Sequence, residues 1–145
     1  MNHSRFDDVL PMVVDKLEKI TGVKVPQKEF EDAIEHAIHV IIHELAHIYL
    51  ERAVPWLSEV DDEKRMLIDE VLTRFLERKV SAELNLFVES FEEQLKELKM
   101  YSPLRNLGWN KDFYSKLYDD FEKYVTQGGS IESFAKEILK KLLEI

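Results

Sequence analysis

Interruptions of helical periodicity are scarce along this chain, and that scarcity constrains the fold more than any other feature. The 145 residues include only four glycines and four prolines, the residues that most often interrupt regular structure. Between them, apolar residues recur every three or four positions, which is the spacing of one helix face. No stretch alternates apolar and polar residues as a half-buried strand does. The sequence therefore predicts an all-α fold, a single-domain bundle of five or six helices over residues 1–145.

Local signals predict the limits of the first two helices. The first helix extends to Ile20 and ends at Gly22, and Pro11 lies near its start or bends it. The segment "VKVP", residues 23–26, is predicted to be a short extended connection. The second helix is predicted to cover about residues 27–53, and the following "VPW" ends it.

The third helix is predicted to be long and interrupted. It begins at Ser58, where "SEVD" resembles a capping box in which Asp61 reaches back to the helix start. The apolar pattern continues to about Met100, which is too long for one ordinary globular helix. We therefore expect a break near Val80 and Ser81, with Ser81 capping the second half.

The C-terminal third carries stronger boundary signals. Asn110 is predicted to begin a helix that ends at Gly128 and Gly129, and Ser130 is predicted to cap the last helix. The segment "YSPLRNLGWNK" before Asn110 is predicted to be a loop.

Composition excludes several classes of protein. Twenty basic residues against 29 acidic ones give a net charge of −9, whereas nucleic-acid binding needs a basic footprint. Because there is no cysteine, any metal must bind histidine and carboxylate. No run of about 18 apolar residues predicts a membrane span. The N-terminal "MNHSRFDD" lacks the order of a signal peptide, so we expect a cytoplasmic protein.

Four of the five histidines fall in the predicted second helix, at positions 36, 39, 43 and 47. At about 100° per residue they occupy a sector roughly 80° wide. The isoleucines and leucines of the same segment centre nearly opposite. We therefore expect one face of this helix to pack in the core and the other to present imidazoles to a cleft, a neighbouring helix or solvent.

Two of these histidines carry a pattern with known chemistry, H-E-x-x-H. His43 and His47 lie one turn apart, so each can direct one ring nitrogen at the same ion. Glu44 projects about 100° around the helix, where it would meet a water bound to that ion. Zinc lowers the pKa of such a water to about 7. The pattern thus predicts a hydrolytic zinc site with Glu44 as general base.

The stretch "VIIHELAHIY", with uncharged residues around both histidines, resembles the active helix of the zincin metallopeptidases. With an acidic residue ahead of "TRF", residues 40–79 look most like the ImmA/IrrE type. This resemblance implies that His43 and His47 bind zinc, that Glu44 is the general base, and that an acidic residue on the next helix is the third ligand. The candidates for that ligand are Glu70, in "IDEVLTRF", and then Asp69, Glu77 and Glu83.

The resemblance also implies a peptide or protein substrate. His36 and His39 are predicted to support the site, as hydrogen-bond partners or as donors to a developing oxyanion. Zincins normally place a sheet beside the active helix, and its edge strand aligns the substrate. This sequence departs from that pattern, since it contains no predicted strand.

Two alternatives use the same residues. In one, the chain is a non-catalytic interaction or metal-binding module, and the apolar stripe of "LNLFVESFEEQLKEL" forms a homodimer or partner interface. In the other, "ELAH" is the E-x-x-H unit that di-iron carboxylate bundles use in pairs. The chain has no second such unit, so a homodimer would have to supply it.

Overall fold

The computed structural model describes residues 2–29, 38–101 and 104–143, except for the side chains of residues 2–8, 38, 39 and 143. These residues form six α-helices and no strand, which confirms the all-α prediction. None of the described helices is both long and apolar enough to span a bilayer. The helices are α1 (Asn2–Thr21), α2 (Ile38–Ala53), α3 (Asp62–Glu83), α4 (Phe91–Leu98), α5 (Lys111–Thr126) and α6 (Ile131–Leu143).

Helix α3 is the central element of the bundle. It contacts each of the other five described helices and packs most extensively against α2. Its core side buries Phe75, whose ring lies 5.3–5.4 Å from the rings of Tyr114, Tyr118 and Phe121 of α5. Aromatic clusters of this kind bury large apolar areas. These core contacts therefore set the rotation of α3 about its axis. That rotation determines which α3 residues face α2.

The ends of α1 and α2 agree with the sequence prediction. Gly22 ends α1 with a φ of +74°, a conformation that favours glycine, and its N–H donates to the Glu18 carbonyl at 2.8 Å. Pro11 lies inside α1. Helix α2 ends at Ala53 as predicted. Of its predicted first half, residues 27–29 form a 3-10 turn instead, and residues 30–37 lie outside the described residues.

The predicted start of α3 at Ser58 is wrong. Ser58 lies in a 3-10 turn, Pro55–Glu59, and its hydroxyl donates to the Pro55 carbonyl. Val60 is then extended, so the turn cannot continue as a helix. Asp61 is itself the N-cap, since its side chain accepts from the Lys64 N–H at 3.2 Å. The proline therefore starts a separate turn, and an aspartate one turn later caps the helix.

The predicted break near Val80 and Ser81 is also misplaced. Helix α3 continues through Ser81, which is buried, and ends at Glu83. Asn85 follows with a φ of +57°, and the Leu86 N–H donates to the Ser81 carbonyl at 2.8 Å. This is a Schellman-type ending, in which asparagine takes the left-handed position. Ser90, not Ser81, caps α4 by accepting from the Glu93 N–H.

This break divides the apolar stripe that the interaction hypothesis placed on one helix. Residues 86–90 are not helical. Leu95 and Leu98 of α4 are buried in the core, whereas the Phe87 side chain is 85% exposed. The stretch "LNLFVESFEEQLKEL" therefore does not form one continuous helical face.

The last two helices begin where they were predicted to begin. Asn110 caps α5 by accepting from the Phe113 N–H at 2.8 Å, and α5 ends at Thr126, just before Gly128. The Ser130 hydroxyl accepts from the Ser133 N–H at the start of α6. These boundaries were predictable because the caps act through nearby backbone groups.

Candidate metal centre

Helix α2 buries one face and leaves two histidines at the edge of its contact with α3. Leu45 and Tyr49 are fully buried, whereas His43 and His47 are half-buried. The two imidazole rings lie edge to face with their centroids 4.8 Å apart. The histidine side was expected to face a cleft, a neighbouring helix or solvent, and for this pair the structure shows a neighbouring helix. Their i, i+4 spacing is what places both rings on the same side.

Each of these histidines directs its Nδ1 atom at an acidic residue of α3. His43 Nδ1 lies 2.7 Å from Glu77 Oε2, and His47 Nδ1 lies 3.1 Å from Asp69 Oδ1. The later histidine contacts the earlier acid, so the two helices are antiparallel here. Thr73 lies between the acids, with its hydroxyl 3.1 Å from His47 Nδ1 and 3.3 Å from Asp69 Oδ1. We call these five residues the histidine seam.

Glu70 lies on the opposite side of His47 and adds a third side chain whose atoms could bind a metal. Its Oε2 atom lies 3.7 Å from His47 Nε2. One ligand atom from each of His43, His47 and Glu70 lies within 4.8 Å of the others. Tetrahedral zinc ligands at about 2.0–2.1 Å from the ion stand roughly 3.3 Å apart. The three groups therefore have a compatible donor chemistry, and binding an ion would draw them somewhat closer together.

Arg74 determines how Glu70 can act. Its Nη1 atom donates to Glu70 Oε1 at 2.7 Å and to the Glu70 carbonyl at 3.2 Å. Both side chains are buried, at 8% and 12% exposed. The guanidinium thus pairs with Glu70 in a buried position and occupies one of its oxygens. The second oxygen is the one that faces His47.

Acidic side chains surround the histidines of the seam. Burial lowers the pKa of His47, but the hydrogen bond to Asp69 and the charges of Asp69, Glu70 and Glu51 outweigh burial, so this pKa is raised above its ordinary value. A site that stabilises the imidazolium also stabilises other cations. Asp69, Glu70 and Glu77 carry three negative charges here, and Arg74 is the only arginine or lysine that contacts any of these carboxylates within the described residues.

The remaining predicted residues have different positions. Glu44 is half-buried on α2, next to His43 in the sequence. Glu83 is remote from the imidazoles and instead pairs with Lys16 at 3.6 Å and with Lys79 at 3.9 Å. His36 lies outside the described residues, as does the side chain of His39, so their supporting role stays a prediction. Of the four acidic candidates, only Glu70 faces an imidazole Nε2 atom.

Two residues of the site were not identified from the sequence, Thr73 and Arg74. A signal for Thr73 was present, because Asp69, Thr73 and Glu77 repeat every four residues, as His43 and His47 do. Two helices with matched four-residue spacing can align their side chains along one line of contact. For Arg74, its position four residues after Glu70 was the corresponding signal.

An open groove of about 470 Å³ adjoins the histidine seam at Asp69. Its other lining residues come from the end of α2, the turn that follows and the first turn of α3: Glu51, Val54, Pro55, Leu57, Ser58 and Arg65. The groove therefore combines apolar residues with two acidic side chains, Glu51 and Asp69, and one basic side chain, Arg65.

Comparison with known proteins adds no relative: no protein-family model, curated protein or solved structure matches this chain. The resemblance to the zincin metallopeptidases therefore depends on "HELAH" and the residues that follow it.

Proposed function

We propose that this chain is a zinc-dependent hydrolase of the zincin type, acting on peptide bonds. His43, His47 and Glu70 would bind the zinc ion, and Glu44 would be the general base. The observation that carries the proposal is the convergence of ligand atoms from these two histidines and Glu70 to within 4.8 Å of one another. These three residues come from two helices, and Glu70 lies at least 23 positions after either histidine in the sequence.

The donor set supports zinc in particular. Two histidines and one carboxylate are the protein ligands of a well-known class of catalytic zinc sites, which keep a further position open. Without cysteine in the chain, a closed thiolate site is excluded. The raised pKa of His47, which follows from the nearby Asp69, Glu70 and Glu51, agrees with surroundings that favour positive charge.

The residues of the chain would divide the chemical work. When bound, zinc supplies a Lewis acid that polarises a carbonyl oxygen and acidifies water. Glu44 projects about 100° from His43 around α2, beside the ligands, where a carboxylate can accept a proton from an attacking water. Arg74 holds Glu70 by one oxygen. Burial of the neighbouring α2 and α3 residues limits how far the ligands can move apart.

The groove at Asp69 offers a place for a peptide segment. The exposed Pro55, above the buried Val54 and Leu57, gives it an apolar side, and Arg65 gives it a donor for a backbone carbonyl or a carboxylate. We therefore expect substrates with an apolar side chain next to the cleaved bond.

A second candidate function is a non-catalytic metal-binding module. It is favoured by one observation: residues 2–29, 38–101 and 104–143 include no strand that could align a peptide by backbone pairing. The same site would then bind zinc without cleaving a substrate. The di-iron alternative predicts two irons per site, which elemental analysis distinguishes from a single zinc.

The catalytic claim is tested by replacing Glu44 with glutamine. The zinc-loaded wild type should cleave a library of internally quenched peptides, and Glu44→Gln should lower kcat by at least 100-fold, as expected for loss of a general base, while zinc content is unchanged. Glu137→Gln, an exposed acid on α6, away from the ligands and the groove, is the matched control and should retain activity. Zinc binding by a wild type that cleaves no peptide would support the non-catalytic module.

A further inference from the structure

Three residues of α3 form a regular row along the two histidines. Asp69, Thr73 and Glu77 are spaced by four, and their polar atoms lie 2.7–3.1 Å from the Nδ1 atoms of His47 and His43. The chemistry proposed above uses none of these three side chains directly. Glu83, one and a half turns further along α3, pairs with lysines instead. The row therefore ends where the histidines end.

The acids in this row determine which nitrogen of each ring carries hydrogen. An ionised carboxylate can only accept hydrogen bonds. A bare ring nitrogen at 2.7 Å from Glu77 or 3.1 Å from Asp69 would place two lone pairs against each other. Each Nδ1 atom must therefore be the donor. In a neutral imidazole, the Nε2 atom then carries the lone pair.

We propose that Asp69, Thr73 and Glu77 are positioning residues that fix both imidazoles in the Nδ1–H tautomer and leave each Nε2 atom as an electron-pair donor to a cation. The tautomer claim depends only on the contacts of the seam. Its consequence for metal binding rests on the proposed function. The arrangement sets ring orientation as well as tautomer, since each ring is held at one edge.

Thr73 has a separate task within the row. Its side chain is fully buried, and its hydroxyl lies between His47 Nδ1 and Asp69 Oδ1. The hydroxyl hydrogen is donated to Asp69, while an oxygen lone pair faces the His47 N–H. Thr73 thus orients the Asp69 carboxylate and the His47 ring relative to each other. Valine has nearly the same shape but lacks the hydroxyl, so Thr73→Val removes this task with little change in volume.

The tautomer claim is tested on metal-free protein by nitrogen-15 NMR of the histidine side chains, at a pH where the rings are neutral. In the wild type, His43 and His47 should both show the Nδ1–H pattern. Glu77→Met should shift His43 toward the Nε2–H tautomer and leave His47 unchanged. Glu83→Met, on the same helix, should change neither ring. Nε2–H rings in the wild type, or an unchanged His43 in Glu77→Met, would overturn the proposal.

The consequence for binding is tested by zinc affinity, with helical content verified by circular dichroism. Loss of such a supporting contact typically lowers metal affinity by roughly 10–100-fold, so Thr73→Val and Glu77→Met should each lose about that much. Thr73→Ser keeps the hydroxyl and should restore most of it. Equal affinities in wild type, Thr73→Val and Glu77→Met would contradict the positioning role. A wild type that binds no zinc but shows the Nδ1–H rings would instead defeat the proposed function and leave the tautomer claim intact.

Discussion

Two acidic regions lie close together in this molecule and have opposite surroundings. In the histidine seam, Asp69 and Glu77 each contact an imidazole, and beside the seam Glu70 contacts Arg74. Beyond the end of α3, Glu89 lies near Glu97, and one of its oxygens is buried without a hydrogen-bond partner in the described residues. Arg78 donates to the Glu89 backbone carbonyl and stacks on Phe91, and Arg74 Nε lies 3.6 Å from Glu97 Oε1. We call Glu89 and Glu97 the carboxyl pair.

The difference appears in the proton affinity of the two regions. Burial raises the pKa of Glu89 to about 7, and the hydrogen bond to Glu97 and the charges of Glu97, Glu77 and Glu93 add to the effect. In the seam, the acids instead raise the pKa of a histidine. Carboxylates with positive or hydrogen-bonding neighbours stay charged and can hold a cation, whereas carboxylates packed against one another take up a proton. The seam is therefore the better place for a metal.

The largest effect on stability is expected at the buried Glu70–Arg74 pair beside the seam. Arg74→Met leaves the Glu70 charge buried without compensation, which should cost about 3–5 kcal/mol of unfolding free energy. Urea denaturation at pH 7 with a metal chelator present measures it. The double variant Arg74→Met with Glu70→Leu, which removes both charges, should recover most of the loss. A cost below about 1 kcal/mol would show that Glu70 does not depend on its arginine.

The carboxyl pair should show its character in the pH dependence of stability. The folded-state pKa of Glu89 lies above the unfolded value, so its contribution is fully present below about pH 4.5 and is lost as the pH rises through about 7. Glu89→Gln should flatten this decline and stabilise the protein at pH 8, on the order of 1 kcal/mol because part of the side chain is accessible to solvent. Thermal or urea unfolding between pH 5 and pH 8 measures the difference. An unchanged pH profile would contradict the raised pKa.

A smaller effect is expected at Asp69, where the raised pKa belongs to a histidine and not to a carboxyl group. Because the pKa of His47 is raised on folding, the His47–Asp69 contact stabilises the protein most below about pH 6.5, and this contribution is lost as the pH rises through the folded-state pKa. Asp69→Asn should lower the pKa of His47 and cost a few tenths to about 1 kcal/mol near pH 6, and less at pH 8. NMR titration of His47 checks the first part. A pKa that stays raised in the variant would assign the shift to Glu70 and Glu51 instead.

The same contrast explains what could be predicted from the sequence. Gly22, Asn110 and Ser130 act on backbone groups a few residues away, so the boundaries they set were predictable. Ser58 and Ser81 are equally good capping residues, but Pro55 and the left-handed Asn85 placed the real boundaries elsewhere. Local sequence ranks such alternatives poorly, because propensities are small beside tertiary packing.

Part of the candidate site was likewise predictable from the sequence, and part was not. The helical period alone places His43 and His47 on one side of α2. Which acid meets which ring depends on the register of α3 against α2, and the core contacts of Phe75 and its neighbours determine that register. The sequence favoured Glu70 but left Asp69, Glu77 and Glu83 open, and the fold assigns the four acids different contacts. Glu70 faces Nε2, Asp69 and Glu77 face Nδ1, and Glu83 faces lysines.

The central claim is that the seam binds one zinc ion through His43 and His47, and elemental analysis tests it most directly. Untagged protein dialysed against zinc and then against metal-free buffer should retain one zinc per chain. His43→Ala and His47→Ala should each retain none, while His3→Ala, which alters the one histidine outside the 36–47 stretch, should retain the full amount. Equal zinc in the wild type and His43→Ala, or no zinc in the wild type, would contradict the account.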